Sequence, residues 1–202
     1  MKQQLVFATN NPHKIAEVKR QLGDRYTFLS LQEIGCTEEI PETADTLEGN
    51  ARLKARHVKD GYGYDCFSED TGLEVLALGH APGVDTAHYA GPERSATANN
   101  QKLLSQLADR KDRLARFRTV ICLLVGGEEH LFEGQCEGRI ATAPIGHDGF
   151  GYDPVFVPLE GDGRSFAQMT QDEKLRFSHR ARAMAKLEDY LKKRQGATHP
   201  TA

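Results

Sequence analysis

No part of the 202-residue chain is apolar over a length that could cross a bilayer: the longest such run, Val120 to Val125, is six residues, against the roughly twenty a spanning helix needs. The first residues carry one Lys and a brief apolar stretch, then turn polar at Thr9, Asn10 and Asn11, which is too short for the apolar core of a secretion signal. A cytoplasmic protein with no membrane partner is expected. Cysteine is sparse and scattered, at Cys36, Cys66, Cys122 and Cys136, with no C-x-x-C pair and no partnered His spacing. That pattern excludes a disulfide scaffold and the usual zinc modules, and four reduced thiols are expected. An excess of positive charge is also missing. Lys plus Arg number 26 against 29 Asp plus Glu, a net charge of -3, so nothing in the total calls for a nucleic-acid partner. The stock nucleotide motifs are absent too. There is no G-x-x-x-x-G-K-[ST], and neither Gly61-Tyr62-Gly63 nor Gly149-Phe150-Gly151 continues to a third glycine, which excludes Walker and Rossmann readings.

What is present has the make-up of a globular domain, with 39% hydrophobic and 27% charged residues, so disorder and collagen are excluded. Residues 2–8 read as a buried strand. Asn10-Asn11-Pro12 then opens a helix whose Ile15, Val18 and Leu22 recur at helical spacing. Residues 26–31 read as a second strand, followed by an acidic loop from 38 to 45. Asp45 with Glu48 resembles a capping box for a helix with Leu47, Ala51, Ala55 and Val58 on one face, ending before Gly61. Residues 64–68 form a strand that runs out into Glu69-Asp70-Thr71-Gly72. Helical patterning resumes after Ala81-Pro82-Gly83 and again over 95–107. Residues 115–125 and 130–142 flank Gly126-Gly127 as a long β-hairpin. A Gly/Pro-rich segment covers 144–158. A final helix begins at Ser178, with Ala181, Met184, Leu187 and Leu191 in one stripe, and residues 195–202 read as a frayed tail. Interspersed strands and helices around a hairpin give an α/β class with a mixed sheet, in a single domain over 1–194.

Four groups of residues carry chemistry. Thr9, Asn10, Asn11, Pro12, His13 and Lys14 stand at a helix start, where free N–H groups and the helix dipole favour an anion. The same residues also fit a plain Asn cap with Pro in the first turn. Glu42, Glu69 and Asp70 suit a hard cation such as Mg²⁺, which takes carboxylate and phosphate oxygens, or simply a solvated acidic turn. Phe150, Gly151, Tyr152 and Asp153 offer an aromatic face for a base and a carboxylate for a base N–H, or a core Phe and Tyr around a tight turn. Lys174, His179 and Arg180 gather possible cations near the start of the last helix, where they oppose the dipole unless an anion or a base carbonyl explains them. A basic solvated face is the other reading.

Taken together, A-T-N-N-P-H-K at 8–14, S-E-D-T-G-L at 68–73, A-P-G at 81–83, G-F-G-Y-D-P at 149–154 and S-H-R at 178–180 resemble the inosine/xanthosine triphosphate pyrophosphatases, in the expected order over residues 1 to about 194. The resemblance implies an elongated mixed sheet with flanking helices, two lobes around a central cleft, a Mg²⁺ requirement and a homodimer. It further implies hydrolysis of noncanonical purine nucleoside triphosphates (ITP, dITP, XTP) to monophosphate and pyrophosphate. By resemblance, residues 9–14 and Lys54 hold the triphosphate, Glu42 and Asp70 the metal, and Asp70 accepts the proton with Glu69 beside it. Thr71 touches substrate, Phe150 stacks on the base within residues 150–153, and Lys174, His179 and Arg180 read its edge. The chain departs from the family at His88, where an Arg or Lys is usual, and at Asp85, which replaces a common Tyr. An imidazole is only partly charged near neutral pH. The rival readings are a related pyrophosphatase for modified pyrimidines and a nucleotide-binding sensor without turnover.

Overall fold

The computed structural model describes residues 4–22 and 27–197. It is a mixed α/β fold built on a seven-stranded sheet. Strand β1 (Gln4–Phe7) pairs in parallel with β2 (Thr27–Leu29) on one side and β3 (Cys66–Val75) on the other, in the registers Leu5↔Phe28 and Phe7↔Phe67. Its Leu5, Val6 and Phe7 are all buried, as expected of a parallel strand covered on both faces. Helices α1 (Pro12–Leu22) and α2 (Leu47–Tyr62) lie between these strands in sequence. The two-residue strand β4 (Pro82–Gly83) pairs antiparallel with β3. After α3 (Ala96–Gln106), β5 (Leu114–Val125) and β6 (Glu128–Ile140) form the hairpin. Its turn glycines, Gly126 and Gly127, have φ of 57° and 83°, the left-handed backbone that a two-residue turn between twisted strands requires. Strand β7 (Phe156–Pro158) pairs antiparallel with β6, and α4 (Gln171–Lys174) and α5 (His179–Ala197) complete the chain. The strand order is β2-β1-β3-β5-β6-β7, with β4 on β3.

The chain divides into two compact units, each drawn from separate stretches. The first takes the described residues of Met1–Asp70, Thr119–Gly134 and Arg180–Ala202; the second takes Thr71–Arg118 and Gln135–His179. Each has its own core. In the first, Leu5, Phe7, Phe67, Ile121 and Leu123 of the sheet pack with Val18 and Leu22 of α1 and Met184, Leu187 and Leu191 of α5, and the Phe7 and Phe67 rings stack at 4.5 Å. In the second, Leu73, Val75, Phe117, Ile140 and Phe156 pack with Leu103 and Leu107 of α3 and with Phe166.

Several sequence expectations shift. Glu69, Asp70, Thr71 and Gly72 are not a turn at a strand end but the middle of the ten-residue β3, because partners distant in sequence neutralise the charges. Helix α2 is capped by Thr46, whose side chain accepts from the Gly49 N–H at 3.0 Å, rather than by Asp45. It runs past Gly61 to Tyr62, and Gly63 closes it at φ 78°. After Gly83 only a 3-10 turn, Thr86–His88, forms. Residues 2, 3 and 26, placed above in strands, lie outside the described residues, as does 198–202 of the expected tail; α5 continues to Ala197.

Candidate active site

In a strand, successive side chains point to opposite faces, and β3 uses this to separate its two adjacent carboxylates. Phe67 and Glu69 share a face with the core formed by α1 and α5. Cys66, Ser68 and Asp70 face α2, where the Cys66 thiol donates to the Ala55 carbonyl and the Ser68 hydroxyl to that of Ala51. Glu69 is wholly enclosed. Its carboxylate accepts from Arg180 Nε at 2.8 and 3.1 Å and pairs with Lys14 Nζ at 3.0 Å, while Arg180 also donates to Glu17. Burial alone would push the Glu69 carboxyl up, but Arg180 and Lys14 together outweigh it and hold it far below the usual carboxylate range. Asp70 behaves in the opposite way. Burial pushes its carboxyl up, and Lys54 and Lys14 pull it back without overcoming that push. Lys54 of α2 donates to both Asp70, at 3.3 Å, and Glu42. Burial opposes its charge, yet the two carboxylates keep it cationic and raise its pKa. Two carboxylates thus share one ammonium.

At the start of α1 the cap reading holds for Asn11. Its side chain accepts from the N–H groups of His13 and Lys14 at 3.0 and 3.3 Å, while Pro12 takes the first helical position. The Thr9 hydroxyl in turn accepts from the Asn11 N–H at 3.2 Å. The cap therefore uses two of the backbone donors that the bare sequence offers to an anion. The first turn contains no acidic residue, so the positive end of the dipole, with Lys14 and the exposed Asn10 beside it, keeps its sign.

The second unit holds the aromatic turn. Gly149 has φ 79°, and a Cβ there would lie 2.2 Å from the Asp153 carboxylate, so only glycine lets the turn close. Buried Asp153 accepts from the Phe150 N–H at 2.9 Å and from Lys174 Nζ at 2.9 Å, and the ammonium lies over the Phe150 and Phe166 rings at 5.7 and 5.4 Å. Phe150 is half-buried and so offers a ring face. Tyr152 is a core residue whose hydroxyl donates to the Thr86 carbonyl at 2.9 Å. Gly151 accepts from the Asn100 side-chain amide of α3 at 3.0 Å. Buried His179 stacks on Phe117 at 4.5 Å. Of the three cations expected on one edge, Lys174 and His179 belong to this unit; Arg180 belongs to the first, on Glu69 and Glu17. Thr71 follows Asp70 on β3, half-buried. His88 is exposed, and its Nε2 accepts from Arg94 Nε at 2.8 Å, which puts a permanent charge beside this departure from the family pattern.

The Ham1 family model matches residues 5–190. The chain belongs to the Ham1 family. It is 53% identical over 190 residues to the dITP/XTP pyrophosphatase of Porphyromonas gingivalis, covering 94% of this chain and 97% of that protein. The like-named protein of Flavobacterium psychrophilum is 51% identical over 189 residues, covering 94% and 99%. Among solved structures, the Staphylococcus aureus Ham1 protein matches with a TM-score of 0.87 at 35% identity, covering 95% of this chain and 100% of that one.

Sequence reasoning missed four residues that hold the candidate side chains of the two units in place. Glu17 of α1 shares Arg180 with Glu69. Asn50 of α2, 3% exposed, hydrogen-bonds Asp70 and accepts from the Ala44 N–H at 2.9 Å, fixing the loop that carries Glu42. Asn100 holds the Gly151 carbonyl, and Thr86 takes the Tyr152 hydroxyl. One signal was available: Asn50 lies on the apolar stripe of α2 with Leu47, Ala51 and Val58, where a polar residue needs a buried partner.

Proposed function

We propose that this chain is a Mg²⁺-dependent pyrophosphatase for noncanonical purine nucleoside triphosphates, dITP, ITP and XTP. The observation that carries the reading is the Glu42–Lys54–Asp70 group, in which two carboxylates share one ammonium and burial pushes Asp70 up. An all-oxygen donor set with negative charge left over fits a hard divalent ion held by Glu42 and Asp70. When bound, that ion neutralises and orients the triphosphate. Asp70, a stronger base than an ordinary aspartate because it is desolvated, takes a proton from water. The water oxygen bonds to phosphorus at the α–β anhydride, the bridging P–O bond breaks, and pyrophosphate leaves with the electron pair. Glu69 keeps Arg180 and Lys14 in place, with the Lys14 charge at the α1 start beside Thr9, Asn10 and Asn11 for phosphate. Phe150 stacks on the base, while Lys174, oriented by Asp153, and His179 donate toward a 6-keto oxygen. Adenine offers a 6-amino donor there instead. The names of the relatives, dITP/XTP pyrophosphatase, support this class.

Two further parts of the reading are a homodimer and a cytoplasmic site of action. Four free cysteines agree with a reducing compartment, and no helix among the described residues is long and apolar enough to cross a membrane. Sedimentation at several concentrations tests the dimer. Incubation of the pure protein with ITP, XTP, ATP and a modified pyrimidine triphosphate, with Mg²⁺ or with chelator, tests the reaction. Pyrophosphate and monophosphate from the 6-keto purines, only with metal, is the expected result. Orthophosphate as the product, or unchanged triphosphate after long incubation, overturns the reading.

A further inference from the structure

Away from the carboxylates of β3, the first unit brings His57 of α2 onto Cys36 and Glu38 of the loop before it. Cys36 follows the 3-10 turn Gln32–Ile34 and a left-handed Gly35, and its N–H is fixed on the Leu31 carbonyl at 2.9 Å. Its thiol is buried, while Glu38, two residues on, is exposed. The Glu38 carboxylate lies 2.8 Å from His57 Nε2 and accepts from the Tyr62 hydroxyl at 2.8 and 3.0 Å, both from α2. One ligand atom from each of Cys36, Glu38 and His57 lies within 4.8 Å of the other two. Zinc bonds of about 2.3 Å to sulfur and about 2.0–2.2 Å to nitrogen and oxygen put tetrahedral ligand atoms roughly 3.3–3.6 Å apart. Closing the triad on an ion therefore asks for movement on the order of an ångström, most of it available to exposed Glu38.

We propose that Cys36, Glu38 and His57 form a second metal site, one that takes a borderline-soft divalent ion such as Zn²⁺ and pins the acidic loop after Cys36 to α2. The ligand set decides the metal. A thiolate with an imidazole and a carboxylate selects zinc over magnesium, whereas Glu42 and Asp70 offer oxygen alone. Three protein ligands leave the fourth position to water or to Tyr62. Entry of the ion breaks the S–H bond and releases that proton to solvent, and His57 binds through unprotonated Nε2 with its N–H on the other ring nitrogen. Burial pushes the Cys36 thiol up, so without metal this position supplies a neutral thiol and not a reactive thiolate. The site does not depend on the activity proposed above, and its readout is the metal itself.

The test uses the full chain stripped with chelator and titrated with Co²⁺, then Zn²⁺, in excess Mg²⁺. Expected is a thiolate-to-cobalt charge-transfer absorption at one ion per chain, bleached by Zn²⁺ and lost in Cys36→Ser. His57→Gln should weaken zinc by more than the roughly 10–100-fold that follows loss of an outer-shell partner. Because Cys36 is buried, circular dichroism and Mg²⁺-supported turnover of Cys36→Ser check its fold. Should that variant misfold, His57→Gln and Glu38→Gln, at half-buried and exposed positions, decide alone. No charge-transfer band, a band that survives Cys36→Ser, or equal zinc affinity in wild type and His57→Gln each overturns the proposal.

Discussion

Glu69 and Asp70 are neighbours in sequence with opposite electrostatics, so neutral substitutions at the two positions should act in opposite directions. The Asp70 carboxyl titrates above its unfolded value, so its contribution to stability is present in acid and lost as pH rises through the raised value; ionised at neutral pH, it costs stability. Asp70→Asn should therefore raise the melting temperature in chelator at pH 7, with the gain shrinking as pH falls through the raised value and gone below the unfolded value near 3.8. It should lower kcat by roughly 10²-fold or more, as loss of a positioned base does. Divalent metal should stabilise wild type but scarcely the variant. A variant with near-normal kcat, or a lower melting temperature in chelator, removes Asp70 from this role. Glu69 is depressed by Arg180 and Lys14 against the opposing effect of burial, so its stabilisation is present above the unfolded value near 4.5 and lost as pH falls from there toward the folded one. Glu69→Gln leaves Arg180 and Lys14 without a buried partner and should cost about 3–5 kcal/mol at neutral pH. Chemical denaturation at pH 7 and pH 4 checks this. A cost that does not shrink in acid would assign Glu69 a packing role.

At the level of elements, the turn over 149–154 and helix α4 act as one unit, because Asp153 accepts from both the Phe150 N–H and Lys174. If that ammonium reads a 6-keto oxygen, Lys174→Met should shrink the preference for ITP over ATP in kcat/KM by about 1–3 kcal/mol, the scale of one good base contact. Equal losses for both nucleotides would make Lys174 structural. The elements also show what the sequence made legible. The hairpin β5–β6 and the α5 stripe of Ala181, Met184, Leu187 and Leu191 follow from local periodicity and two glycines, and all four stripe residues are buried. The middle of β3 did not, because Glu69 and Asp70 look like a turn until Arg180, 111 positions away, is folded onto them. The same distance problem hid the approach of His57 to Cys36 and Glu38. The metal and base candidates themselves were legible as residue types, while their partners Glu17, Asn50 and Asn100 were not, since a buried hydrogen bond leaves no spacing to read.

Across the described residues the molecule has two hydrophobic cores, and neither is built from a contiguous piece of chain. The first unit is assembled from three stretches and the second from two. Strands β3, β5 and β6 each contribute residues to both, so melting one core frees the ends of strands that the other needs. Separate cores usually invite separate transitions. Here shared strands should override that, and we expect a single calorimetric transition with the calorimetric enthalpy equal to the van't Hoff value in the metal-free chain. Saturating Mg²⁺ with a slowly hydrolysed ITP analogue should move that one transition upward as a whole, by about 2.7 kcal/mol at a hundredfold excess over Kd. Two resolved transitions, or a ligand that shifts only part of the heat absorbed, would show that the units unfold independently and that continuity of the strands does not couple them. The comparison should be run on Asp70→Asn as well. There the single transition should persist, because the strands are intact, while the shift due to Mg²⁺ should fall away.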